Sequence, residues 1–266
     1  LAHALLGLQG QCSGQVLLDG KDLLRMKASG LRAARRDIQA IFQDPLASLS
    51  PRRNILQSLL EPLDHFGIGP REQRPELARA ALETVELDPD LASRYPHEIS
   101  GGQRQRAALA RAMVTQPRMI VADEPVSSLD IPMQARMIRL FRQLRDRTGV
   151  AFLFISHDIS VVRKLADSVA VMYLGQILEC GPARQVFEQP AHPYTRSLLN
   201  AVPSVVPGHA PPEILAGEAP SPLTPPPGCV FHTRCREALP DCRLTEPEEK
   251  AAGAPNHHVR CHLWNP

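Results

Sequence analysis

Residues 119–124 read Met-Ile-Val-Ala-Asp-Glu, and residues 150–155 read Val-Ala-Phe-Leu-Phe-Ile. Each run is short and apolar and is bounded by polar residues, the pattern of a strand buried on both faces of a parallel sheet. Between them, Ile131 to Arg147 reads as a helix. Strand, helix and strand make a βαβ unit, so the fold class is α/β with a mainly parallel sheet. The first strand ends in two adjacent carboxylates, Asp123 and Glu124. At the carboxyl edge of a parallel sheet, such acids stand where ligands bind.

Outward from this unit the pattern changes. Leu1 to Leu8 has the spacing of an amphipathic helix, and Gln15 to Leu18 is a short strand closed by the turn pair Asp19-Gly20. Residues 45–116 are mostly helical; Arg74 to Val85 sets Leu77, Ala81, Leu82 and Val85 on one face. Ser168–Leu174 and Gln176–Cys180 flank Gly175 as a hairpin. From 203 to 227 nine of 25 residues are proline, which excludes a helix or central strand and predicts an extended linker. Four of the six cysteines, Cys229, Cys235, Cys242 and Cys261, follow it.

Composition bounds the function. A chain of 266 residues suits one main domain with an appendage. Thirty basic and 28 acidic residues leave a net charge of +2, which gives no reason to expect a nucleic-acid surface. No apolar run approaches the roughly 18 residues of a membrane span.

Further motifs surround the acids. Ser100-Gly101-Gly102-Gln103 precedes a helix rich in Ala and Arg. Glycines there let backbone N–H groups approach a ligand, and a helix N-terminus suits phosphate. Gln43 follows the apolar pair Ile41-Phe42, Ser128-Leu129-Asp130 follows the acids, and His157 ends the second apolar run. Taken singly, each has a plain structural reading: a capping turn, solvated acids, a hydrogen-bonding histidine. Their order decides.

Taken together, the motifs resemble the nucleotide-binding subunit of an ABC transporter, a P-loop NTPase-like cassette. Ile99 to Gln103 is similar to the family signature, with Ile where Leu is usual. Met119 to Glu124 resembles Walker B with its glutamate, Ser128-Leu129-Asp130 the D-loop, Gln43 the Q-loop and His157 the switch histidine. The resemblance implies two such domains paired head to tail, with ATP held between one domain's phosphate loop and the partner's signature. It implies that Asp123 holds Mg²⁺, Glu124 orients or deprotonates the attacking water, and His157 contacts the γ-phosphate. Gln43 then senses the nucleotide for the transmembrane permease subunits, Ser100, Gly101, Gly102 and Gln103 serve the partner's nucleotide, and Asp130 couples the two sites. The implied setting is peripheral, on the cytoplasmic face of the inner membrane, with a substrate-binding protein as an indirect partner.

The implied layout places residues 1–44 in the ATPase core and 45–116 in a helical subdomain. Residues 117–190 complete the core, 191–227 form a connecting helix and linker, and 228–266 form a small cysteine-containing C-terminal extension. Three features narrow the branch: Gln43-Asp44-Pro45 with Ser48-Leu49-Ser50-Pro51-Arg52, then His192-Pro193-Tyr194-Thr195, then the linker leading to Gly228-Cys229-Val230-Phe231. Together they resemble the oligopeptide/dipeptide/nickel importer group, and Ser48–Arg52 looks more like the second of that group's paired ATPases. Other readings are a non-transport ABC ATPase, which usually carries paired cassettes or long insertions, a catalytically dead partner, and half of a fused double ATPase.

The cysteine spacing, C-x5-C-x6-C-x18-C, matches no tight C-x2-C zinc pattern. It leaves open a [4Fe–4S] cluster, a zinc site and packed reduced thiols. The family's G-x-x-x-x-G-K-[ST] phosphate loop is not found in residues 1–266, so the span reads as N-terminally truncated. Residues 1–266 alone are expected to hydrolyse no ATP at a measurable rate, whereas an N-terminally extended form does. Parallel ATPase assays check this, and robust turnover by the shorter form contradicts it.

Overall fold

The computed structural model describes residues 1–10, 12–44, 48–202, 217–218 and 220–264. The chain divides into two compact units, Leu1–Asp158 and Ile159–Pro266.

In the first unit the order is α1 (Ala2–Leu5), β1 (Leu17–Leu18), β2 (Lys21–Asp22), α2 (Ala28–Asp37), β3 (Ile38–Ile41), α3 (Ile55–Phe66), α4 (Arg74–Thr84), α5 (Gly101–Met113), β4 (Met119–Asp123), α6 (Ile131–Thr148) and β5 (Ala151–Ile155). The opening helix is a single turn, shorter than the spacing of Leu1 to Leu8 predicts, because Gly7 turns left-handed at φ 61°. The early strand is also short: Leu17–Leu18 pairs with Lys21–Asp22 across the expected Asp19-Gly20 turn.

The sheet order is β3-β4-β5, all parallel. The central β4 buries Ile120, Val121 and Ala122 almost completely. β5 differs from the expectation of burial on both faces: Ala151 is exposed and the rest of the strand half-buried. It flanks the described sheet, so one side has no neighbouring strand. Phe141 of α6 sits edge-on to Phe152 and Phe154 of β5, with ring centres 5.3 and 4.9 Å away. On the other flank Ala2, Leu6, Leu23, Ala34, Ile38 and Val121 form one apolar cluster.

Helices α3, α4 and α5 pack on one another around Leu59, Leu63, Ala78, Leu82, Ala107 and Leu109, none with any exposure. Asn54 opens α3 with a reciprocal cap to Gln57, and Gly67 closes it left-handed. Small Ala side chains along α5 let the neighbouring helices approach closely. The Gln43-Asp44-Pro45 motif ends at a residue outside the described ones, as do Leu46 and Ala47. No helix among the described residues is long and apolar enough to cross a membrane.

In the second unit α7 (Ile159–Leu165) precedes β6 (Ser168–Tyr173), β7 (Gln176–Pro182), α8 (Ala183–Glu188) and α9 (Pro193–Asn200). The β6–β7 hairpin forms as the sequence predicts, with a register shift at Val171/Met172. The helix expected over Ser197–Val202 starts earlier, because His192 caps it and Pro193 is suited to its first turn. Most of the expected linker, 203–216 and 219, lies outside the described residues; 217–218 and 220–227 carry neither helix nor strand. The cysteine tail contributes two strands, β8 (Glu249–Ala251) and β9 (His258–Arg260), giving the sheet order β6-β7-β9-β8.

Candidate functional site

Parallel pairing places three strand ends together. Ile41 of β3 is level with Ala122 of β4, and Asp123 of β4 with Ile155 of β5. Gln43, Asp123, Glu124 and His157 therefore all emerge at one carboxyl edge, where ligands bind in open α/β sheets. Gln43 and its neighbour Asp44 are exposed there.

Glu124 is the most constrained of them. Its backbone is left-handed at φ 51°, unusual for a residue with a side chain. Its N–H donates to the Ile155 carbonyl at 2.9 Å. Its Oε1 accepts from the His157 N–H at 3.1 Å and lies 2.8 Å from His157 Nδ1. The Glu124 side chain is only 17% exposed while His157 is 78% exposed. The histidine ring is thus held at the surface by a nearly enclosed carboxylate. Asp123 is half-buried, and no hydrogen bond or ion pair to the protein is found for its carboxylate among the described residues. An oxygen-ligand cation fits that group better than it fits Glu124, whose Oε1 is already engaged.

The loop at 100–103 is built as a reciprocal cap. Ser100 Oγ accepts from Gln103 N, and Gln103 Oε1 accepts from Ser100 N at 2.8 Å. Gly101 is exposed and Gly102 buried. A methyl group on Gly102 would lie 2.7 Å from Met133 Sδ, so the start of α5 presses on the first turn of α6. That turn is capped by Asp130, which accepts from Met133 N at 2.8 Å. The structure thus joins Glu124 to His157, and the 100–103 loop to the helix that Asp130 starts. No hydrogen bond links these two groups among the described residues.

In the second unit the 192–195 motif is anchored by a residue that the motif reading missed. Glu179 of β7 is buried, and its carboxyl oxygens accept from Ala191 N and His192 N at 2.8 and 2.9 Å. His257 Nε2 completes the cluster 2.8 Å from Glu179 Oε1. The available signal was a lone acid inside an otherwise apolar strand, Ile177-Leu178-Glu179-Cys180.

The tail thiols gather without forming a ligand set. Cys229, Cys242 and Cys261 are buried and Cys235 half-buried. Gly228 (φ 68°) admits no side chain, since a Cβ would lie 2.5 Å from the Cys242 carbonyl oxygen. Burial pushes Cys229 and Cys261 up and Cys235 up to about 11, with neighbouring thiols adding to each. Among the described residues no three His, Cys, Asp or Glu side chains are placed to hold a metal ion.

Two family profiles match the chain: "ABC transporter" over residues 1–127 and "Oligopeptide/dipeptide transporter, C-terminal region" over 178–242. A putative peptide import ATP-binding protein of Brucella ovis is 47% identical over 262 residues, covering 98% of this chain and 82% of the relative. The oligopeptide transport ATP-binding protein AppF of Bacillus subtilis is 44% identical, covering 99% and 81%, and OppF of Escherichia coli is 46% identical, covering 98% and 78%. Among solved structures, the dimeric ATP-binding cassette MJ0796 bound to ADP and Pi superposes with a TM-score of 0.61 at 28% identity, covering 68% of this chain and 78% of that one.

Burial, with the Arg196 charge adding, pulls the His192 imidazole down to about 4. Below its ordinary 6.5 the unfolded chain takes a proton that the folded chain refuses until about pH 4. Stability is therefore lost as pH falls through that window, by on the order of 3 kcal/mol. Denaturant titrations from pH 7 to 4 should show His192→Asn losing less stability over this range than the parent chain; equal losses contradict the assignment.

Proposed function

The chain belongs to the ABC transporter family of ATP-binding subunits, and from that premise we propose that it is the ATP-hydrolysing motor of an importer for di- or oligopeptides. The observation that carries the mechanism is the carboxyl edge where Gln43, Asp123, Glu124 and His157 emerge from adjacent parallel strands. Asp123 offers a carboxylate with no protein partner among the described residues, and it would hold Mg²⁺. The cation supplies charge neutralisation on the phosphates. Glu124 is the base and water-orienting group: Oε1 is held by His157, which leaves Oε2 to accept the water's proton. In this reading His157, exposed at the surface, meets the γ-phosphate. Ser100, Gly101, Gly102 and Gln103 serve the nucleotide of the second ATPase subunit, and Asp130 couples the two sites through the contact between α5 and α6. Gln43 relays nucleotide occupancy to the permease subunits, which together with the substrate-binding protein choose the cargo.

The same reading places the protein peripherally, on the cytoplasmic face of the inner membrane. It divides the chain into an ATPase core (1–44 and 117–190), a helical subdomain (45–116), a connecting segment (191–227) and the C-terminal extension (228–266). In the extension, Cys229, Cys235, Cys242 and Cys261 are not placed as a metal-ligand set among the described residues, so packed reduced thiols fit this structure better than a [4Fe–4S] cluster or a zinc site. No catalytic step depends on a group bound there.

In the N-terminally extended form assembled with its permease subunits, Glu124→Gln is expected to bind ATP and lower turnover by roughly 10²–10⁴-fold; near-normal turnover overturns the assignment of the base. Iron and acid-labile sulfide analysis of anaerobically purified protein should give neither in stoichiometric amount, and about four of each per chain overturns this reading in favour of a cluster. Metal-free protein favours packed thiols, and one zinc per chain favours a zinc staple.

A further inference from the structure

A cavity of about 330 Å³ opens in the first unit between α5, α6 and the turn after α4, lined by Glu86, Arg106, Arg136, Arg139 and Gln143. The nucleotide reading uses none of these residues. Arg106 is held in place: Nη1 donates to the Glu86 carbonyl at 2.9 Å and lies 4.0 Å from the Glu86 carboxylate, and the side chain is only 15% exposed. Glu86 is itself in the left-handed region at φ 57°, which fixes the direction of its carbonyl. Arg136 and Arg139 differ. One turn apart on the exposed face of α6, neither has a hydrogen bond or ion pair to the protein among the described residues.

The charges decide what fits. Glu86 offsets Arg106, leaving the two guanidiniums of α6 unbalanced at the mouth of the same cavity. Repulsion between like charges one turn apart on a helix is unfavourable without a counter-ion. Guanidinium forks match phosphate oxygens in pairs, and the Gln143 amide adds a neutral donor. A phosphate group carries close to two negative charges near neutral pH, which balances Arg136 and Arg139. A lone carboxylate would balance only one. The volume leaves room for two linked phosphates.

We propose that this cavity is a binding site for a multivalent phosphate anion, distinct from the nucleotide edge. Its walls give it a consequence. Arg106 lies on the helix that begins at the Ser100–Gln103 loop, and Arg136 and Arg139 lie on the helix that begins at Asp130. An anion shared by these arginines ties the two helices together beyond the existing Gly102–Met133 contact. That consequence for turnover rests on the ATPase reading; the binding itself does not.

Isothermal titration at low ionic strength with pyrophosphate, and separately with inorganic phosphate, tests the site. The proteins are the parent chain, the double variant Arg136→Gln with Arg139→Gln, and Arg142→Gln. Arg142 is exposed on the same helix but does not line the cavity. Gln keeps helix propensity at exposed positions, so unchanged melting temperatures show that the variants fold. The double variant is expected to bind pyrophosphate roughly tenfold or more weakly, with Arg142→Gln like the parent. Tighter binding of pyrophosphate than of phosphate supports occupancy by two linked phosphates, and equal binding supports a single-phosphate site. Equal affinity of all three proteins assigns the binding to the nucleotide edge and overturns the proposal. So does equal weakening by Arg142→Gln, which means diffuse attraction to a basic helix, and so does no binding at all.

Discussion

The parallel register of β3, β4 and β5 is the constraint on which the candidate site depends. Ile41 beside Ala122 and Asp123 beside Ile155 bring three strand ends level, so residues far apart in sequence share one edge. Side chains alternate faces along a strand, so a slip of one residue would turn Asp123 to the opposite face and move Glu124 away from His157. The register is protected by the burial of Ile120, Val121 and Ala122. Glu124 then stands in a left-handed conformation that costs energy, held by its N–H bond to Ile155 and by His157. Strain at this position is sustained because both strands next to it are fixed.

A second constraint is that the side chains of two loops are already used for folding. Ser100 and Gln103 satisfy each other's backbone N–H groups, and Asp130 satisfies that of Met133. Uncapped, each helix start would leave N–H donors without partners. A duty toward nucleotide must use what capping leaves over: the exposed N–H groups of the first turn and the second oxygen of Asp130. The glycines fit this division. Gly101 leaves the loop open, whereas Gly102 has its space taken by Met133. Shape at Gly102 and capping at Ser100 are thus separate requirements within four residues.

The central βαβ unit and the order of the site residues were legible because each rests on local signals: unbroken apolar runs, helical spacing, glycine beside a capping serine. The contact of Glu124 with His157 was not, since it joins residues 33 apart and depends on the exact end of β5. Burial of β5 was overestimated for a similar reason, as an apolar run does not tell whether a strand has one neighbour or two. The tail shows the same limit. Glu249–Ala251 and His258–Arg260 have weak strand signals of their own: His258–Arg260 becomes a strand by pairing with the edge provided by β7, and Glu249–Ala251 by pairing in turn with β9.

That edge also explains how an extension with few large apolar side chains holds its place on the hairpin. Glu179 pairs across the sheet with Val259, and the next pair is Cys180 with His258. The Glu179 side chain, fully enclosed, meets His257 one residue before that pairing and the backbone of Ala191 and His192. One carboxyl group therefore ties the hairpin, the start of α9 and the tail. Enclosed polar groups cost free energy unless every partner is present, so loss of any one of these contacts penalises the other two. Phe231 packs against Tyr173, Tyr194 and His192 beside this cluster. A ring cluster packed beside an enclosed, fully partnered carboxylate thus fixes the extension to the hairpin without calling on the cysteines.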